Sequence, residues 1–132
     1  MPKLSKVRIN ESDTNQYLRE LRSSFLLLES MDDIHHFLGD LMTHTERKML
    51  AKRLQIAKLL LDGEDYDFIR ERLKVTPGTI AQVSNTLANM GQGYRKVYDR
   101  LKVINSKKQK YELRRFNRLQ RYVRRPLSRI NY

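Results

Sequence analysis

Along most of the chain the apolar residues recur at the three-and-four spacing of helices, and nowhere in the alternation of strands. Residues 1–12 are polar, carry no period and read as a loose arm. From about residue 13 to 31, Tyr17, Leu18, Leu21, Phe25 and Leu28 mark one helical face. Asp32 and Asp33, followed by Ile34, Phe37, Leu38 and Leu41, predict a short helix with acids at its start, where the helix dipole favours them. Thr43 and Glu46 have the spacing of a capping box and open a third helix running to about Asp62. Its apolar positions form two stripes, Leu50, Leu54, Ala57 and Leu61 beside Met49, Ile56 and Leu60. That is wider than one buried face needs and predicts a helix covered on two sides. Gly63 stands where a left-handed C-cap belongs.

A helix of about two turns follows from Glu64 to Leu73, with Ile69 and Leu73 inward, and Lys74 and Val75 make a turn. Thr76 is placed to cap the next helix and Pro77 to occupy its first position, where a missing N–H costs nothing. This helix runs to about Met90 and faces the core with Ile80, Val83, Leu87 and Met90; Gly91-Gln-Gly93 ends it. Tyr94 to Ile104 reads as a further helix, with Val97, Leu101 and Ile104 on one side. After Asn105-Ser106 the composition shifts, and Tyr111 to Arg125 forms a basic amphipathic helix that Pro126 stops. Leu113, Phe116, Leu119 and Val123 lie on one arc; Arg114, Arg118, Arg121 and Arg125 lie on the other.

Charge sharpens this division. The net charge of +12 is spread unevenly: residues 1–103 carry +3, whereas residues 104–132 hold ten Lys/Arg against the single acid Glu112. A nearly balanced body thus carries a polycationic tail, suited to polyphosphate or an anionic surface. At 132 residues with 39% apolar content the chain supports one modest core, which a partner subunit could complete. With no cysteine, disulfides and Cys-ligated zinc are excluded. No apolar run exceeds the four residues from Phe25 to Leu28, so neither a secretory signal nor a membrane span is expected, and the cytoplasm, at the nucleoid, is the expected location.

The candidate chemistry lies in the helix after Thr76. No charged residue occurs from Val75 to Tyr94, where about five would be expected in twenty positions of an ordinary domain. The face opposite the core shows Thr79, Gln82, Asn85, Thr86 and Asn89, while Arg70, Arg72 and Lys74 precede the stretch and Arg95 and Lys96 follow it. Amide side chains pair bidentately with adenine in the major groove, and threonine bonds a base edge or touches a thymine methyl. Flanking cations suit phosphates. Two helices joined by a short turn, the second presented by its N-terminal residues, is the helix-turn-helix layout, here at residues 65–90. An amphipathic helix whose polar face merely lacks charge is the plainer alternative. The Leu73-x-Val75-x-x-Gly78-Thr-Ile80 string, frequent at the turn of such motifs, favours DNA.

Other clusters carry less. His35 and His36 are adjacent and diverge by about 100° on a helix, so they do not chelate one ion together. His44 sits beside a cap. The acids Asp62, Glu64, Asp65 and Asp67 lack the order of a calcium loop. No nucleophile with a base, no phosphate-cradling glycine loop and no metal or cofactor set is found, so enzymatic activity is not expected.

Residues 32–104 resemble the Trp-repressor superfamily, and within it the YerC/YecD-type branch. The resemblance is carried by Phe37-Leu-Gly-Asp-Leu41, Thr43-x-x-Glu46, Ala51-x-Arg53-Leu-x-Ile-Ala57, the Leu73–Ile80 string and Asn89-Met-Gly-Gln-Gly-Tyr94. It implies an all-α fold of six or so helices in an intertwined homodimer, with two recognition helices one DNA turn apart on a palindromic operator. It also implies where a tryptophan corepressor would sit. Arg53, Thr43 and Thr79 match positions around that ligand, but the second guanidinium is replaced by Gln82 and its small neighbour by Val83. A neutral amide does not replace a charge-assisted carboxylate contact, so tryptophan is not expected to act here.

The expectation is therefore an N-terminal arm (1–12), a Trp-repressor-like helical domain (13–104) and a basic extension (105–132), forming a dimeric transcriptional regulator of duplex DNA, a repressor by kinship. Thr79, Gln82, Asn85 and Thr86 would read bases. Arg70, Arg72, Lys74, Thr76, Gly78, Arg95 and Lys96 would hold the DNA backbone. The extension leaves three readings open: phosphate contact through Arg114, Arg115, Arg118, Arg121, Arg124 and Arg125, docking on the partner subunit, or, ranked last, an interfacial membrane helix. An RNA-binding or ribonucleoprotein component led by this Arg-rich tail is the alternative function.

Overall fold

The computed structural model describes residues 7–123, and for residues 119–123 the backbone alone. Six helices are found there and no strand: α1 (Glu11–Leu26), α2 (Met31–Leu41), α3 (His44–Leu61), α4 (Tyr66–Leu73), α5 (Pro77–Asn89) and α6 (Gln92–Val123). The all-α expectation holds. The chain divides into two compact units, one reaching to Leu50 and one starting at Ala51.

In the first unit, α1 begins at an Asn10 cap and stops at Leu26, short of the expected Met31. The reason lies in the next residues. Ser30 caps α2, accepting from the Asp33 N–H at 3.1 Å while the Asp33 carboxylate accepts from the Ser30 N–H at 3.1 Å. This reciprocal box, which the apolar spacing did not reveal, ends α1 by starting its successor. Thr43 and Glu46 form the expected second box, with Glu46 accepting from the Thr43 N–H at 2.8 Å and Thr43 from the Glu46 N–H at 3.2 Å. The Glu29 N–H, which donates to Asp33 at 3.2 Å, and then the Ser30 bonds hold the Asp33 carboxyl below its ordinary pKa. The Thr43 N–H and hydroxyl do the same for Glu46, because such donors favour the ionised form. Phe25 and Phe37 meet edge to face, their centroids 5.5 Å apart. Yet neither α1 nor α2 buries a single residue.

The second unit has a core. Ile56 and Ala57 of α3, Ile69 of α4, and Ile80, Val83 and Leu87 of α5 are buried together, with Leu59, Leu60, Leu61, Leu73, Val75 and Tyr94 packed around them. Three expected core positions fall outside it: Met90 is 72% exposed, and Met49 and Leu50 are nearly half exposed. Met90 is the C-cap of α5, with φ and ψ both negative and non-helical, so its side chain leaves the helical register.

The largest departure is at the C-terminal side. Residues 92–123 form one helix, with no break at Asn105-Ser106. Ser106 turns its hydroxyl back onto the Val103 carbonyl at 2.8 Å and stays helical. Neither Gly nor Pro interrupts the stretch after Gly93, and its Lys, Arg, Gln and Leu residues are good helix formers. Pro126, expected to stop this helix, lies outside the described residues, as do Arg124, Arg125 and residues 1–6 of the arm.

Candidate nucleic-acid interface

The interface is built by α4, the turn after it, and α5. Asp65 caps α4, accepting from the Phe68 N–H at 2.8 Å. The helix ends at Lys74, the one described non-glycine residue with positive φ (53°). Many turns of this kind place glycine there, because a Cβ strains a left-handed backbone. The conformation is held from two sides. The Lys74 N–H donates to the Arg70 carbonyl at 2.9 Å, and the Lys52 ammonium of α3 donates to the Lys74 carbonyl at 3.4 Å. Lys52 adds a cation beside the turn that sequence reasoning missed, since nothing in its own helix distinguishes it.

Thr76 then caps α5, accepting from the Thr79 N–H at 3.3 Å, and Pro77 occupies the first turn as expected. From this start the helix separates its two faces. Ile80, Val83 and Leu87 go into the core; Gln82, Asn85 and Asn89 are exposed.

The four expected base readers are not equivalent. The Thr79 hydroxyl shares a 2.9 Å hydrogen bond with that of Thr76 and is half-buried. Thr86 donates back to the Gln82 carbonyl at 3.1 Å and is also half-buried. Gln82 and Asn85, one turn apart, are exposed and their amides bond to nothing among the described residues. They present donors and acceptors together, as reading a base edge requires.

Around them, Arg70, Arg72, Lys74 and Lys96 are exposed; Arg70 makes only a surface pair with Asp67 at 3.5 Å. Gly78 is open, with no atom closer than 4.0 Å to where a Cβ would stand, so the fold itself does not require glycine there. Arg95 has a structural task. Its guanidinium donates to the carbonyls of Leu87 at 2.9 Å and Met90 at 3.4 Å, closing the C-terminus of α5. Gly91 beneath it is buried with φ 69°, and a Cβ there would lie 2.9 Å from the Leu87 backbone. Arg95 thus ties α6 to α5.

Of the extension, Arg114, Arg115 and Arg118 are exposed on α6; Arg121 is on its last described turn, and Arg124 and Arg125 are outside it. Among the described residues no cluster of three or more His, Asp or Glu could hold a metal ion, and no helix is long and apolar enough to cross a membrane.

Two helices, a left-handed turn and a charge-free outer face flanked by cations define a helix-turn-helix. Comparison with known proteins specifies the kind. The profile of the Trp repressor proteins matches residues 16–102. The uncharacterized protein YerC of Bacillus subtilis is 32% identical over 85 residues, covering 64% of this chain and 82% of that one. A Trp-repressor candidate from Staphylococcus aureus superposes with a TM-score of 0.64 at 28% identity, covering 72% of this chain and 96% of that one. A TrpR-like protein from Eubacterium eligens gives 0.62 at 30% identity, covering 65% and 89%. The chain belongs to the Trp repressor family, on its YerC-type side, and so to the helix-turn-helix DNA-binding regulators.

Proposed function

We propose that this protein is a homodimeric, sequence-reading regulator of duplex DNA that represses by occupying a palindromic operator. The observation that carries the reading is the outer face of α5: two free amides, Gln82 and Asn85, in a charge-free stretch bordered by cations. A solvated helix face ordinarily mixes charges into its polar positions. A face made for base edges dispenses with them, because a misplaced carboxylate would repel the phosphates on either side.

Gln82 and Asn85 make the principal base contacts, with Thr79 and Thr86 contributing methyl contacts at the helix flank. Arg70, Arg72, Lys74 and Lys96 engage phosphates, Thr76 and Gly78 bring the start of α5 close to the backbone, and Arg95 adds its unused donors. The dimer is supported by the apolar residues that one chain leaves in water, among them Leu18, Phe25, Leu26, Met31 and Leu50. Two α5 helices related by a twofold axis then meet half-sites about one turn apart. Tryptophan has no role, since Gln82 offers no charge to its carboxylate and Val83 is buried in the core.

The test is discrimination between bases. Gln82→Ala and Asn85→Ala should each relax preference at one position per half-site, by about 1–3 kcal/mol. Retention of the full preference by both variants would remove α5 from the role of reader.

A further inference from the structure

The extension of α6 lies outside the family match, which ends at residue 102, and it belongs to the same unit as the recognition helix. Its first turns are anchored. Tyr94 packs on the core, Tyr98 donates to the Asp62 carboxylate, and Arg95 grips the end of α5. Beyond Leu101 the helix leaves the core abruptly: every described side chain from Lys102 to Arg118 is exposed. At about 1.5 Å per residue, the stretch from Lys102 to Val123 is an arm of about 30 Å.

The arm is charged on one side. Lys107, Lys110, Arg114 and Arg118 follow one another at intervals of three, four and four residues, forming a single stripe, with Lys108 and Arg115 at its edge and Tyr111 between them. Glu112 is the one acid, and no ion pair is made by any of these cations among the described residues. Like charges at i, i+4 destabilise a helix. Here Lys110–Arg114 and Arg114–Arg118 both carry that cost, which a polyanion laid along the stripe removes. Cations toward a helix C-terminus are favoured by the dipole, but that argues for position, not for one face.

We infer that the α6 arm is a second, sequence-independent DNA contact that clamps duplex phosphates outside the operator half-site read by α5. The inference rests on the proposed function for its choice of duplex DNA as the polyanion. Continuity of α6 with the locked α5–α6 junction fixes where the arm leaves the recognition unit. Gln109, Leu113 and Phe116 lie off the stripe and are not needed for the contact.

The test uses the full chain with Lys107, Lys110, Arg114 and Arg118 all changed to Gln, which keeps helix propensity and removes charge. Binding to an operator duplex, a random duplex and a structured RNA of equal length is measured across salt concentrations. Loss of four phosphate contacts on each subunit of the bound dimer should reduce the slope of log K against log salt on both duplexes by about seven, with the operator-to-random ratio unchanged. The companion variant K107R/K110R/R114K/R118K should keep the wild-type slope, which separates charge from helix damage. An unchanged duplex slope in the Gln variant overturns the inference, and so does a loss confined to RNA, which would make the arm an RNA-binding element. A wild-type chain with no operator preference would instead overturn the reading of α5, whatever the arm does.

Discussion

The helices α1 and α2 and the helices α4 and α5 carry similar apolar stripes, yet they end in opposite conditions. In the second unit, Ile69, Ile80, Val83 and Leu87 close on Ile56 and Ala57 and leave water altogether or nearly so. In the first, Tyr17, Leu18, Leu21 and Phe25 stay exposed although their spacing is as regular. The difference teaches that helical period shows which face seeks cover, and not what provides it. The recognition unit finds cover within its own chain and can hold α5 in place. In the proposed dimer the second copy supplies the cover that the N-terminal helices lack.

The largest expected effect lies in the closed core. Ile80→Ala should lower unfolding free energy by about 2–5 kcal/mol, read from urea denaturation, because Ile80 is fully buried. Phe25→Ala separates the two regions. Phe25 is 42% exposed in one chain, but covered by a second copy its loss should cost about 3 kcal/mol. The wild-type midpoint should then rise with protein concentration. A cost below about 1 kcal/mol with a concentration-independent midpoint would deny that another copy covers α1.

Gly91→Ala should cost about 1–3 kcal/mol, from its positive φ together with the collision with Leu87. Because this junction carries α6, the variant should also weaken the arm's contribution to binding. Lys74→Gly works in the other direction. Relief of the left-handed lysine should gain about 0.5 kcal/mol, while loss of one phosphate contact per subunit of the dimer should reduce the salt slope by about 1.8. A gain in stability with an unchanged slope would leave Lys74 a turn residue only.

The smallest effect is on pH. Asp33 and Glu46 have lowered pKa values in the folded chain, so the stability they confer is present above the ordinary carboxylate range. It is lost as pH falls through those lowered values. Glu46→Gln should flatten the fall of the urea midpoint between about pH 5 and pH 2.

Much of this was legible in the residues. The Thr76 cap, Pro77, the Thr43–Glu46 box, Gly63 and the Ile80–Val83–Leu87 face were all found where spacing placed them, because local chemistry decides them. The Ser30–Asp33 box was hidden by its flanking apolar residues. The continuity of α6 was hidden by Asn105-Ser106, a pair that favours turns only when nothing on either side holds the helix. Within the site, the sequence put Thr79, Gln82, Asn85 and Thr86 on one face, but could not show that both threonine hydroxyls are engaged inside the chain. Nor could it show that Arg95 is occupied by the end of α5, since carbonyls that need capping leave no mark of their own.

The most direct measurement is selection of binding sites from a random duplex pool by the full chain at about 150 mM salt, where phosphate contacts alone are weakened. The expected result is an enriched inverted repeat whose half-sites are about 10 bp apart. Recovery of a pool with no shared sequence would contradict it, leaving α5 a scaffold and the basic arm the main nucleic-acid contact.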